Sequence, residues 1–170
     1  MNSDQRKVAV GAGTGLLGML ALLAILYSML PAPIGMDTEI ARIVYTLKLN
    51  VVAILPFFIG VAIVGNGRFL SNAIDPLRHA EDRAMEINAR VVANTLEQNF
   101  LFFIGTVALS TLLDAQTIKI IPALVIVYII ARIVFWIGYR INPLYRAPGM
   151  AGTLYMNIGI LLSVLYLWIF

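Results

Sequence analysis

The sequence predicts an all-α integral membrane protein with five membrane-spanning helices. Hydrophobic residues make up 61% of the 170-residue chain and charged residues 12%, whereas a soluble domain has about 25% charged residues. The mean hydropathy of +0.90 agrees with that class. Five apolar runs can each supply a span of roughly 20 residues, and there is no alternating strand pattern. The predicted spans cover residues 8–30, 43–64, 88–113, 118–139 and 150–170.

The first apolar run, residues 8–30, allows two interpretations. A secretory signal peptide has an apolar core of about 7–15 residues, whereas this run has 23, so we predict a retained membrane helix. Residues 13–18 match the dinucleotide-binding pattern GxGxxG, but no strand precedes them and we interpret the match as accidental. Gly11 and Gly15, four residues apart, instead indicate a small-residue contact with another helix.

Polar connections separate the predicted helices. Pro31 and Gly35 follow the first run and end it, whereas Pro56 is predicted to kink the second helix without ending it. Residues 68–89 form the longest polar stretch, in which we expect His79 to be exposed. Since the other connections are short, consecutive helices should pack as antiparallel neighbours.

The distribution of basic residues predicts the orientation in the membrane. With five spans, the N-terminus and the loops at residues 65–90 and 140–149 lie on one side. That side carries Arg6, Lys7, Arg68, Arg78, Arg83, Arg90, Arg140 and Arg146, and the other side carries Arg42, Lys48 and Lys119. Because the side richer in lysine and arginine faces the cytoplasm, we predict a cytoplasmic N-terminus and a C-terminus on the opposite side.

Composition excludes several classes of site. The chain has no cysteine, which rules out disulfides, thiolate metal sites and a cysteine nucleophile. With His79 as its single histidine, a histidine-based metal centre is not expected, and we predict no metal site. The net charge is only +3 and no dense basic cluster occurs, so we predict no nucleic-acid partner.

Three polar residues near the start of the third predicted span form the strongest candidate site. Arg90, Asn94 and Glu97 are spaced i, i+4 and i+7, which places them on one face of an α-helix. The neighbouring sequence is apolar, and ionisable groups at membrane depth are costly and usually functional. The alternative interpretation is an internal ion pair or amide contact that only fixes helix packing.

Two sequence blocks flank one predicted helical hairpin. They read Arg90-x-x-x-Asn94-x-x-Glu97 and Ala131-Arg132-x-x-Phe135-x-x-Gly138-Tyr139, the second followed by Arg146. Together and in this order they resemble the signature of the MAPEG family, the membrane-associated proteins of eicosanoid and glutathione metabolism. The resemblance covers roughly residues 44–170. It implies a four-helix membrane domain at residues 43–170, preceded by an extra N-terminal membrane helix and its connection at residues 1–42.

The resemblance also implies an assembly and a ligand. Members of this family are homotrimers that bind glutathione, their co-substrate, in a cleft between subunits near the cytoplasmic end. By position, Arg90, Asn94 and Glu97 would hold the glutathione backbone, and Tyr139 would contact it from the fourth span. Arg68 lies roughly where some members carry an arginine after their first helix.

The catalytic role implied by the resemblance falls on Arg146. It matches the arginine, seven residues after the tyrosine, that stabilises the glutathione thiolate in family enzymes. Phe135 departs from the pattern, since leukotriene-forming members have tyrosine there. Arg132 has two open interpretations, a structural ion pair with Glu97 inside the bundle or a member of the site.

These observations predict a membrane-embedded, glutathione-dependent transferase or peroxidase. It would activate glutathione as a thiolate toward a small apolar electrophile or a lipid hydroperoxide, with membrane lipid and its own copies as further partners. One alternative is a non-catalytic MAPEG-like protein that binds lipid or a partner. Another is a small transporter in which Glu97 and Arg132 line a path, although the inverted repeats typical of such proteins are not found.

Overall fold

The computed structural model describes residues 1–78 and 80–170, and helices are the only regular elements in those residues. The α-helices are α1 (Ser3–Met29), α2 (Glu39–Ala53), α3 (Leu55–Phe69), α4 (Arg83–Leu112), α5 (Ile120–Ile141) and α6 (Ala147–Ile169). Short 3-10 turns lie at Asn72–Ile74, Pro76–Arg78, Thr117–Lys119 and Pro143–Arg146. The predicted all-α membrane bundle is confirmed. The prediction for His79 concerns a residue outside the described ones.

Four of the five predicted spans are long and apolar enough to cross a membrane by length and composition alone. They are Ser3–Met29, Glu39–Phe69, Thr117–Ile141 and Pro143–Ile169. Helix α4, the remaining predicted span, has 30 residues, which is about 45 Å at 1.5 Å per residue. Its length therefore suffices, and its polar side chains are what distinguish it from the other four.

Most of the uncharged polar side chains of α4 are turned into the bundle. Those that are buried include Asn88, Thr95, Gln98, Asn99, Thr106 and Ser110. The amide of Asn157 on α6 donates to the Gln98 side chain at 3.0 Å, and the amide of Asn50 on α2 donates to the Thr106 hydroxyl at 3.1 Å. Because lipid offers no hydrogen-bond partners, these bonds to α2 and α6 fix which face of α4 is internal.

The second span is broken between α2 and α3. Helix α2 ends at Ala53 and α3 begins at Leu55, with Pro56 in its first turn. The carbonyl oxygen of Ala53 accepts a hydrogen bond from the Asn99 side chain at 3.3 Å. Pro56 lacks the N–H that would bond to the Val52 carbonyl four residues earlier, and the Ile54 N–H reaches that carbonyl instead. The span continues past Pro56, as predicted, but as two helices that are interrupted at Ile54.

The N-terminal helix α1 packs mainly on α6 through its glycines. Only Met19 is buried on α1, and the closest approach lies where Gly11 and Gly15 face Ala147 and Pro148. A Cβ atom on Gly15 would overlap the backbone of Pro148. The predicted small-residue contact is confirmed, since α1 can approach this closely only where it has no side chain.

We expect Gly15→Ala to destabilise the packing of α1 because the added methyl group meets backbone atoms of Pro148. Overpacking of this kind costs about 1–3 kcal/mol. Gly13→Ala on the same helix is the matched control, because a Cβ atom there meets nothing within 4 Å. Thermal unfolding of the purified protein in detergent measures the difference. Equal melting temperatures for the two variants would contradict the close α1–α6 contact.

Candidate functional site

Helix α4 presents the three predicted site residues on its outer face. Asp82 caps the N-terminus of the helix by accepting a hydrogen bond from the Met85 amide at 2.8 Å, which sets the helical register. Asn94 is half-buried, whereas Arg90 and Glu97 are exposed. Two charged side chains on this face therefore point away from the other helices of the chain.

Arg132 on α5 is the largest fully buried side chain of the core and is 2% exposed. One guanidinium nitrogen, Nη1, donates to the Asn94 side-chain oxygen at 2.9 Å. The other, Nη2, donates to the Gly149 carbonyl at 3.3 Å and to the Thr153 hydroxyl. The planar fork of arginine suits such a two-sided arrangement. Nε has no hydrogen-bond partner among the described residues.

Asn94 links the buried arginine to the exposed carboxylate. Its oxygen accepts from Arg132, and its nitrogen donates to Glu97 Oε2 at 3.4 Å. No direct ion pair joins Glu97 and Arg132 among the described residues; the neutral amide stands between them. The Glu97 carboxylate can therefore accept another donor without first releasing Arg132.

An aromatic column on α5 connects Arg132 with Arg146. The guanidinium carbon of Arg132 lies 4.5 Å from the Phe135 ring centroid, and the rings of Phe135 and Tyr139 are 5.8 Å apart. The guanidinium carbon of Arg146 lies 4.9 Å from the Tyr139 ring centroid. Cations over aromatic faces are attracted by the ring quadrupole. Tyr139 is buried, while Arg146 is exposed on top of it.

Gly138 explains how Arg146 comes to lie over Tyr139. After α5 the chain turns back at Asn142, whose side chain accepts from the Leu144 amide at 2.9 Å. The following 3-10 turn then packs its Tyr145 backbone directly against Gly138, where a Cβ atom would overlap it. The glycine thus brings the Pro143–Arg146 turn against the last turn of α5.

The site lies near one end of the bundle. Since the carbonyl of Gly149 accepts from Arg132, the first turn of α6 is level with that arginine. Helix α4 begins eleven residues before Asn94 and α5 ends nine residues after Arg132, so both extend past this level by roughly 15 Å. The cluster is therefore close to the end of the bundle that carries Arg90 and Arg146.

Arg68 is held elsewhere by a carboxylate. Its Nε donates to Glu81 Oε1 at 2.8 Å, and the two form an ion pair between the end of α3 and the approach to α4. The cluster around Arg132 thus comprises Asn94 and Glu97, and the aromatic column adds Tyr139 and Arg146. Arg68 pairs with Glu81, which belongs to neither group.

Sequence analysis missed Thr153 and Gly149, which complete the shell around Arg132. The sequence did contain a signal for Thr153. Its hydroxyl and the Asn157 amide are four residues apart in a largely apolar helix, which places two polar groups on one face. The structure shows Trp136 half-buried, with its indole N–H donating to Asn88 at 3.0 Å. Small polar residues inside a span bond to neighbouring helices, and that is their role here.

Comparison with known proteins gives the family. The model of the MAPEG family matches residues 43–166, most of the chain. The chain belongs to the MAPEG family. All the candidate site residues lie inside the matched region, and α1 precedes it.

Two relatives carry the same name, Transmembrane protein 79. The mouse (Mus musculus) protein is 30% identical over 142 residues, 82% of this chain and 36% of its own length. The bovine (Bos taurus) protein is 27% identical over 162 residues, 94% of this chain and 40% of its own length. This MAPEG chain thus spans well under half the length of the relatives it matches. No solved structure matches it.

Proposed function

We propose that this MAPEG protein is a glutathione-dependent transferase or peroxidase that works as a homotrimer. The observation that carries the proposal is the outer face of α4, where exposed Arg90 and Glu97 flank the half-buried Asn94. Charges facing lipid are costly, so this face needs a cover. A neighbouring subunit together with a charged ligand would supply that cover.

The chemistry of glutathione suits the residues that face outward. The ligand has two carboxylates, one ammonium group, two amides and a thiol. Arg90 offers a planar, permanently charged fork for a carboxylate, and Glu97 offers an acceptor for the ammonium group. Asn94 already uses its oxygen for Arg132 and its nitrogen for Glu97, so it would orient Glu97 and share its amide group with the ligand.

Arg146 is the residue we assign to thiol activation. Its guanidinium group is exposed, and it rests on the Tyr139 ring. A positive charge near a thiol favours the ionised sulfur, and the thiolate is the nucleophile. The sulfur would then attack an electrophilic carbon with loss of a leaving group. With a hydroperoxide it would instead attack the terminal oxygen, so that the O–O bond breaks and the alcohol leaves after protonation; a second glutathione would reduce the resulting sulfenic acid, giving glutathione disulfide and water.

The Glu97→Gln variant tests the ligand site. Glu97 is exposed, and its contact with Asn94 is long at 3.4 Å, so the melting temperature should stay close to that of the wild type. Glutathione affinity should fall at least about tenfold, since a charged hydrogen bond contributes about 1.5–3 kcal/mol. Equilibrium binding to the purified protein in detergent measures this change.

Glu86→Gln is the matched control for that experiment, because Glu86 is also an exposed acid on α4. A loss of assembly in Glu97→Gln without a selective binding defect would contradict the ligand role. Binding of glutathione without turnover of a generic aryl halide or hydroperoxide would instead favour a non-catalytic binding protein.

We further propose that the basic end of the bundle faces the cytoplasm, where soluble glutathione would enter. Because the chain has no cysteine, single cysteines at Ser3 and at Phe170 provide unambiguous labels. We expect a membrane-impermeant maleimide to label the first only after the cytoplasmic side is opened. The second, at the end of α6, should be labelled from the opposite side. Labelling of both ends from one side would contradict the five-span arrangement.

A further inference from the structure

A groove lies between α1 and the neighbouring helices α5 and α6. Its apolar section has a volume of about 280 Å³. The α1 wall includes Thr14, Gly15 and Gly18, and the wall from the bundle includes Val127 and Val134 of α5. The groove exists because the glycines bring the α1 backbone onto α6 and leave no side chains to fill the space beside it.

A second, wider pocket of about 540 Å³ lies next to the groove at the basic end, and we call it the mouth. Ser3, Arg6 and Lys7 of α1 line the mouth together with Leu144 and Tyr145 of the turn after α5. Pro148 borders both the mouth and the apolar section. On α1 the lining residues Ser3, Lys7, Val10, Thr14 and Gly18 are three or four positions apart, so they form one continuous helical stripe.

The mouth carries an excess of positive charge. Arg6 and Lys7 are both exposed there. The only carboxylate paired with them among the described residues is Asp4, whose oxygen lies 3.6 Å from Lys7 Nζ with both side chains more than half exposed. Exposed pairs of this kind are weak, and Arg6 has no carboxylate partner in the described part of the chain. The mouth is therefore suited to an anion.

We propose that this groove binds an anionic phospholipid. The phosphate group would lie against Arg6 and Lys7, and one acyl chain would follow the apolar section from Thr14 toward Leu22. Leu22 lies eight residues after Thr14, a rise of about 12 Å along the helix, which is close to the roughly 15 Å depth of one leaflet of the hydrocarbon core. A cationic mouth above an apolar slot of this length matches a molecule with a charged head and a hydrocarbon tail.

The site is separate from the proposed glutathione site and does not depend on it. Its α1 wall lies outside the matched MAPEG region, which begins at residue 43. Its lining contains none of Arg90, Asn94, Glu97, Tyr139 or Arg146. A lipid in the groove would brace α1 against α5, on the side where α1 has few contacts of its own.

Native mass spectrometry of the full chain, released from detergent, tests the proposal. Phosphatidylglycerol and phosphatidylcholine with the same acyl chains are the two probes. We expect phosphatidylglycerol to be retained more tightly. The double variant Arg6→Gln/Lys7→Gln should lower its affinity at least about fivefold, as expected for removal of basic residues at a membrane surface. Arg78→Gln, an exposed arginine at the same end of the bundle, is the charge control and should have no effect.

A second pair of variants tests the apolar section. Gly18→Leu fills the groove without meeting any atom near its Cβ, and Gly13→Leu lies outside the groove with equally open surroundings. We expect Gly18→Leu to reduce retention of phosphatidylglycerol several-fold, because the acyl chain loses its apolar contacts. Gly13→Leu should retain the lipid as the wild type does.

Four results would overturn the proposal. One is equal retention of the two lipids by the wild-type protein. Another is an equal effect of Arg78→Gln and the double variant, which would show only a diffuse electrostatic attraction. The third is a change of oligomeric mass in Gly18→Leu without a change in lipid retention, which would show that a second copy of the chain fills the groove. The last is displacement of the lipid by glycerol phosphate at equal concentration, which would reduce the site to a simple phosphate site.

Discussion

Arg132→Lys is expected to lower the free energy of unfolding by about 2–4 kcal/mol, because a buried charged group that is left without its hydrogen bonds destabilises the folded state. The guanidinium group serves two sides at once, Asn94 on one and Gly149 with Thr153 on the other. A lysine ammonium group at this position reaches one side only. It also loses the planar contact with Phe135 that the guanidinium group makes at 4.5 Å.

Arg132→Met is the informative comparison. It removes the charge as well as the hydrogen bonds, so no unpaired cation remains in the core, and we expect a smaller loss of about 1–2 kcal/mol. Unfolding of the purified protein in detergent gives the order wild type, Arg132→Met, Arg132→Lys, from most to least stable. A lysine variant as stable as the wild type would show that charge alone matters here and that the fork geometry does not.

Arg146→Ala is expected to lower the turnover rate by at least about tenfold, which is about 1.4 kcal/mol of barrier. The reason follows from the proposed function: without the cation, the pKa of the bound thiol should rise toward its free value. The absorbance of the thiolate should decrease in parallel at neutral pH. Glutathione binding should fall less, because Arg90 and Glu97 are untouched.

The competing role for Arg146 is an anchor to lipid headgroups, which arginines at the ends of spans often provide. Arg140→Ala is the matched control, since Arg140 is also exposed at this end of α5. If Arg146 were only an anchor, the two variants would have similar turnover rates and the thiolate absorbance would be unchanged. Unchanged absorbance and turnover in a correctly assembled Arg146→Ala variant would remove this residue from the active site.

The membrane spans could be predicted closely from the sequence. Helix α5 was expected at residues 118–139 and occupies Ile120–Ile141, and α6 was expected at 150–170 and occupies Ala147–Ile169. Such accuracy has a physical basis, because a chain in lipid must satisfy its backbone hydrogen bonds internally and apolar runs of this length can do so only as helices. Pro56 likewise signalled the irregularity in the second span, although the sequence predicted a kink within one helix and the structure has two helices, α2 and α3.

The polar residues on the outer face of α4 could also be predicted from the sequence. The spacing of Arg90, Asn94 and Glu97 is enough to place them on one helical face, and the structure has them on the outer side of the bundle. Glycine spacing predicted the α1 contact in the same way. These predictions needed only the periodicity of a helix, which is a local property of the chain.

Only the tertiary structure decided what Arg132 contacts and what lies beside α1. Helical periodicity says which residues share a face, but it does not say which helix lies opposite or at what height. Arg132 could equally have met Glu97 directly. The close approach of α5 and α6 at Gly149 instead supplies a carbonyl and the Thr153 hydroxyl, and Asn94 takes the position between the two charges. The groove beside α1 likewise arises from the offset of three helices, because packing distances between separate segments are set by the side chains of all of them together.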